Sequence, residues 1–194
     1  MDAETVKYLS QYVHNRLFVG VGTNVEGAWG TPAEAIARSL QELARYGFSC
    51  ISVSSRYLTR PVGLRAQPSY VNVVVELSCG HLPRKILKIF KCLERDAGRR
   101  SRVRNGPRPL DLDLLAYREW VVNWPPAARR PPLVLPHPLL AERAFVLVPL
   151  AEIAPDWRHP VLGLTARQLL DRLGGARHLE RCGEVIRLDR SLDL

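Results

Sequence analysis

"RNGPRPLDLDLLAY", residues 104–117, combines the marks of a buried strand with two charges that do not belong in one. Leucines at 110, 112, 114 and 115 drive the segment toward a core, yet Asp111 and Asp113 interrupt the run. A strand's period of two sets both carboxylates on one face and Leu110, Leu112 and Leu114 on the other. Like charges side by side repel, and burial raises the cost of each. The aspartate face is therefore either solvated or matched by positive charge. Arg99, Arg100, Arg102, Arg104 and Arg108 lie just upstream. Carboxylate oxygens suit Mg²⁺, and the guanidinium fork pairs with phosphate oxygens. Carboxylates and arginines together predict a metal–phosphate site, with a merely solvated sheet face as the alternative.

Outward from this strand, the pattern predicts an order of elements. "RLFVGVGTN" reads as a strand over Leu17–Val21 that runs into a glycine turn. "TPAEAIARSLQELARYG" reads as a helix, with Thr31 as N-cap, Pro32 in the first position and Gly47 as the stop. "FSCISVSSRYL" and "SYVNVVVELS" read as strands joined by the loop "TRPVGLRAQP". "LPRKILKIFKCLERDAG" reads as a second helix turning Ile86, Leu87, Phe90 and Leu93 inward. With the aspartate strand the order is β-α-β-β-α-β, that of an α+β, ferredoxin-like antiparallel sheet with both helices on one face.

The rest of the chain predicts a C-terminal extension. "NWPPAARRPPLVLPHP" reads as an extended surface segment, "LLAERAFVLVPLAEIAP" as a short helix with packing residues, and "TARQLLDRLGG" as a last amphipathic helix. Val6, Leu9 and Val13 predict a short leading helix within residues 1–15. The expected division is an N-terminal extension over 1–16, one catalytic domain over 17–175, and a tail of alternating charge over 176–194.

The chain has 194 residues, 46% hydrophobic and 24% charged, which suits one domain with a real core. Its net charge of +9 favours anionic partners. Cys50, Cys79, Cys92 and Cys182 are widely spaced, which predicts buried reduced thiols. With no secretory leader pattern and no apolar run long enough for a membrane span, a cytoplasmic protein is expected. No P-loop, HExxH or Gly-x-Ser-x-Gly pattern occurs, and "GVGTN" at 20–24 is too short for a dinucleotide fingerprint. His137, between prolines in "LPHPLL", reads on its own as a rigid turn residue.

"RNGPRPLDLDLL" resembles the signature of the 6-hydroxymethyl-7,8-dihydropterin pyrophosphokinase family. "VGTN" is similar to that family's first-strand turn, "SSRYLTRPVGLRAQPSYVN" to its pterin-binding loop and following strand, and "LPHPLLAERAFVLVPLAEIAP" to its C-terminal motif. The four segments occur in the family's order, across about residues 17–160. The resemblance implies a transferase of folate biosynthesis that moves pyrophosphate from ATP to the pterin alcohol and releases AMP.

The resemblance also implies roles. Asp111 and Asp113 would bind two Mg²⁺ ions, and Arg99 and Arg108 would clamp the triphosphate and assist catalysis. Glu94, His137 and Arg143 would help to hold ATP. Thr59, Val62, Tyr70, Asn72 and Phe145 would line the pterin slot. Thr23 stands where the family has serine, and Arg60 where proline is frequent. Ser101 replaces a loop arginine and Asn105 an aromatic residue, so the alternative within the family is lost or altered substrate use. A basic nucleic-acid-binding module is the alternative from another class. Few strand aromatics and two aspartates on the fourth strand argue against it. Neither nucleic acid nor membrane is an expected partner, and nothing in the sequence names a protein partner.

Overall fold

The computed structural model describes residues 16–61, 67–100, 106–126 and 133–174, and the backbone of 186–188. In chain order the elements are β1 (Arg16–Thr23), α1 (Pro32–Arg45), β2 (Ser49–Val53), β3 (Arg56–Thr59), β4 (Tyr70–Ser78), α2 (Pro83–Asp96) and β5 (Asp111–Tyr117). A 3₁₀ turn (Leu140–Glu142), α3 (Ala144–Ile153), α4 (Ala166–Arg172) and β6 (Ile186–Leu188) follow. The strands form one antiparallel sheet in the order β5-β1-β4-β3-β6, and β2 pairs with the part of β4 that β3 does not reach. The expected α+β architecture is thus present.

Local chemistry sets the boundaries of α1. Thr31 Oγ1 accepts from the Glu34 N–H and the Glu34 carboxylate takes the Thr31 N–H, a reciprocal capping box. Pro32 opens the helix, and Gly47 follows it at φ +82°, a conformation that side chains with a Cβ resist. "FSCISVSSRYL", expected as one strand, is two. Ser54 gives its N–H to the Val74 carbonyl and takes the Val74 N–H on its side-chain oxygen, so a hydroxyl replaces a ladder carbonyl and the strand breaks there.

Two apolar layers sandwich the sheet. On one face, α1 and α2 bury Ile36, Leu40, Leu43, Ile86, Phe90 and Leu93 against Val19, Val21, Val73, Val75, Leu112 and Leu114. On the other, Phe18, Val74, Leu115 and Ala116 pack against Leu147 and Leu150 of α3 and Leu169 of α4. The first two helices share one face as expected, and the C-terminal extension supplies the second layer. A bulge in the β1–β5 pairing lets Leu115 and Ala116 both join that second layer.

Other expectations change. The proline-dense segment is at the surface at Asn123, Pro125 and Pro126 as expected, but Leu135 is fully buried and bridges Val122 through two backbone hydrogen bonds. Part of the expected tail is β6, paired with β3. Cys79 is buried, Cys92 half-buried and Cys50 exposed on β2, all three free thiols, and Cys182 lies outside the described residues. The expected leading helix lies outside the described residues.

Candidate active site

The aspartates occupy the sheet face of α3 and α4, at the end those helices leave open. Gly22 of β1 has Asp111 and Asn72 as partners on its two sides, and Gly20 has Asp113 and Val74. Two strand spacings therefore separate Asp111 from Asn72, about 10 Å, with only glycine between them. A Cβ on Gly22 would meet Asn72 Oδ1 at 3.0 Å, whereas one on Gly20 would make an ordinary contact with Leu115 at 3.6 Å. The result is a glycine-floored trough, carboxylates on one bank and an amide on the other.

Positive charge crowds the carboxylate bank. Arg99 Nη1 donates to Asp111 Oδ1 at 2.6 Å, and Arg108 Nη1 pairs with Asp111 Oδ2. Glu94 is buried, and its Oε1 accepts from Arg99 at 2.8 Å and from the Leu112 N–H at 3.0 Å. Its Oε2 pairs with Lys91 at 2.7 Å. Glu94 thus stands behind Arg99 and fixes both that guanidinium and the strand between the two aspartates. A recess of about 320 Å³ opens beside them, lined by Lys91, Glu94, Arg95, Arg99 and Arg100.

Burial and the neighbouring charge of Asp111 push the Asp113 carboxyl up to about 6, against the opposing pull of Arg143, Lys91 and Arg108. Burial, and then Arg143, push the His137 ring down to about 4, so it is neutral at pH 7. His137 Nδ1 accepts the Leu139 N–H at 3.2 Å, which assigns the proton to Nε2 and makes that atom a donor. Arg143, the N-cap of α3, lays its guanidinium over the Phe145 ring at 5.5 Å.

On the amide bank, Asn72 Nδ2 donates to Thr59 Oγ1 at 2.8 Å, and Thr59 pairs with Tyr70 in register. The Tyr70 hydroxyl donates to the Gly106 carbonyl at 3.2 Å, so the strand that carries Asn72 also touches the end of the arginine loop. Of the expected site residues, Val62 lies outside the described residues, as do Ser101 and Asn105. The remaining eleven surround one open end of the sheet.

Sequence reasoning missed Asn24. It is buried, donates its backbone N–H to the Arg108 carbonyl at 3.1 Å, and accepts the Arg108 N–H on Oδ1 at 2.8 Å. Its Nδ2 donates to Gln67 Oε1 at 3.2 Å and the Pro68 carbonyl at 3.1 Å. One amide therefore ties the segment before β4 to the segment before β5. Its place in "VGTN" was visible, but partners 43 to 84 residues away were not.

The donor set suits Mg²⁺ rather than a fully protein-caged metal. Two carboxylates share a face, and Asp113 is costly to ionise even with Arg143, Lys91 and Arg108 beside it. No cluster of three or more His, Cys, Asp or Glu side chains able to hold a metal occurs among the described residues. Mg²⁺ takes one or two carboxylates and completes its shell with water and phosphate.

Comparisons with known proteins show the family and the fold. Residues 18–155 match the model of the family described as 7,8-dihydro-6-hydroxymethylpterin-pyrophosphokinase. A 2-amino-4-hydroxy-6-hydroxymethyldihydropteridine pyrophosphokinase of Synechocystis sp. is 38% identical over 80% of this chain and 74% of its own length. Its counterpart in Methylorubrum extorquens is 36% identical over 81% of this chain and 93% of its own. The folic acid synthesis protein FOL1 of Dictyostelium discoideum is 33% identical over 80% of this chain, but the match spans only 22% of that longer protein. A crystal structure of Plasmodium falciparum HPPK-DHPS superposes with a TM-score of 0.66 at 13% identity, over 86% of this chain and 42% of that one, a likeness of fold. No helix among the described residues is long and apolar enough to cross a membrane. A family match over residues 18–155, most of the chain, places this chain in the 7,8-dihydro-6-hydroxymethylpterin-pyrophosphokinase family.

Proposed function

We propose that this chain transfers pyrophosphate from ATP to 6-hydroxymethyl-7,8-dihydropterin at the trough between Asp111 and Asn72. The observation that carries the reading is the juxtaposition of a carboxylate pair and two guanidiniums with an amide bank across a glycine floor. The pterin hydroxymethyl oxygen attacks the β-phosphorus, the bond from that phosphorus to the α,β-bridging oxygen breaks, and AMP leaves. Phosphoryl-type transfer depends mostly on positioning and on neutralising charge.

Each bank then has a task. Asp111 and Asp113 would hold Mg²⁺, two ions in all, which would offset the negative charge of the phosphates. Arg99 and Arg108, which rest on Asp111, turn to the triphosphate when it binds, and the basic recess beside them receives the nucleotide. Glu94 acts through Arg99, as its buried carboxylate is engaged with Arg99, Lys91 and Leu112. His137 donates from Nε2, and Arg143 supplies charge beside Asp113. Asn72 and Thr59 read a ring edge, Tyr70 and Phe145 supply aromatic surface, and Val62 completes the slot.

Incubation with ATP, Mg²⁺ and the pterin alcohol should yield AMP and the pterin diphosphate in equal amounts. ADP as the nucleotide product, or no turnover with this alcohol, would refute the assignment.

The glycine floor supplies a paired expectation. Gly22→Ala should weaken pterin binding about tenfold, because the new methyl pushes on Asn72 Oδ1 and spoils its aim. Gly20→Ala, with ordinary clearance, should bind normally. Titration of pterin fluorescence against both variants checks this, and equal effects would remove Asn72 from the slot.

A further inference from the structure

The last residues of α3 hold a carboxylate that the reaction as described does not use. Glu152 Oε2 accepts from the Ser55 N–H at 3.0 Å and from the Tyr57 hydroxyl at 2.8 Å. Its Oε1 accepts from the Ser55 hydroxyl at 2.8 Å. All three donors belong to the break between β2 and β3 or to the start of β3, nearly a hundred residues away in sequence. A carboxylate that receives three donors holds them more firmly than neutral groups do.

The elements joined in this way are the two walls of the slot. Phe145 lies seven residues before Glu152 on the same helix, close to two full turns, so both project from one side of α3. Tyr57 is buried and pairs with Asn72 in register, and Asn72 donates to Thr59, two residues beyond Tyr57 on the same strand. From Phe145 the path runs down α3 to Glu152, across to Tyr57, and along β3 to Thr59 and Asn72. Beside the apolar packing of α3 on the sheet, one carboxylate thereby joins the helix of the aromatic wall to the strand beside the amide wall.

We propose that Glu152 is a positioning residue that fixes the width of the pterin slot, without touching pterin, nucleotide or the reacting atoms. The proposal rests on the assignment of Phe145, Thr59 and Asn72 to that slot. It makes α3 more than a packing layer, because one helix carries Phe145 at its start and the fastener at its end. A flat bicyclic substrate is sensitive to such a spacing, since stacking contacts weaken steeply when a gap opens by even half an ångström.

Glu152→Gln keeps the shape but puts an NH₂ group where one donor must be received. Tyr57→Phe removes a single donor and leaves Ser55 on the carboxylate. Binding of the pterin alcohol and of a non-hydrolysable ATP analogue with Mg²⁺ should be measured by calorimetry on the full chain. Wild type should bind both. Glu152→Gln should weaken the pterin about tenfold and Tyr57→Phe about threefold, with the ATP analogue within about twofold of wild type in each. The double variant should be no weaker than Glu152→Gln alone, because Tyr57 acts through the carboxylate. Glu152→Asp, which restores the charge at shorter reach, should recover part of the loss.

A purely structural role would lower the melting temperature and leave the split between pterin and nucleotide unchanged, which would overturn the proposal. Additive losses in the double variant would overturn it as well. If Glu152→Gln does not fold, unchanged pterin affinity in Tyr57→Phe is enough to reject it. Wild type that fails to bind the pterin alcohol would instead refute the slot assignment itself, a result distinct from a wild type that binds and variants that match it.

Discussion

Asp113→Asn is expected to reduce AMP formation about a thousandfold or more, roughly 4 kcal/mol of transition-state stabilisation. The substitution keeps the shape of the side chain and removes the charge with which it would hold Mg²⁺. The same change should stabilise the metal-free fold. In the folded chain the carboxyl titrates near 6, well above the ordinary value of 3.8, because burial and Asp111 disfavour its charge. A carboxyl raised on folding contributes stability at low pH that is lost as pH rises through the folded value. Metal-free wild type should therefore lose this contribution between about pH 4 and pH 6. Asp113→Asn should melt above wild type at pH 7.5, and the gap should close by pH 4. Thermal melts in EDTA across that range provide the check. Mg²⁺ with an ATP analogue should raise the melting temperature of wild type and barely move that of the variant. Near-normal turnover by Asp113→Asn would remove this residue from the metal site.

Arg108→Ala is expected to lower turnover about a hundredfold, the scale of losing one electrostatic contact to the transition state. Its guanidinium lies on Asp111, and its backbone is held from both sides by Asn24, so the side chain leaves a fixed point. Pterin affinity should change less than about threefold, since the amide bank is built from β3 and β4. Arg118→Ala, after the end of β5 at the opposite end of the sheet, serves as the control and should turn over normally. Steady-state kinetics with binding titrations separate the cases. An equal loss of pterin binding and turnover would refute the division of labour between the two banks. The neighbouring Ser101 and Arg102 lie outside the described residues.

What the sequence determined by itself was whatever depends on neighbours a few residues apart. Thr31, Pro32, Glu34 and Gly47 bound α1 through contacts within a turn or two, so the helix could be read directly. The aspartate pair was legible for the same reason. A period of two is a property of the strand alone, and Asp111 and Asp113 do share the face opposite Leu112 and Leu114. The order of strands and helices then limited the topology to few choices, of which the ferredoxin-like sheet was one.

Tertiary structure decided what depends on distant partners. The break at Ser54 and Ser55 needs Val74 and Glu152, 20 and 97 residues away, and no local pattern announces it. Leu135 looked like part of a solvated proline segment, and only its bridge to Val122 carries it into the core. Residues 186–188 lie in a tail that reads mainly as alternating charge, and they pair along the edge of β3 that β4 leaves open. The glycine trough is the plainest case. Gly20 and Gly22 read as strand and turn residues in "VGVGTN", and they become a binding floor only when β4 and β5 are laid against β1 on its two sides. Side-chain period and helix caps are local, short-range effects. Pairing across the sheet and the seating of α3 are not, because each joins groups whose encounter is set by burial of the whole core.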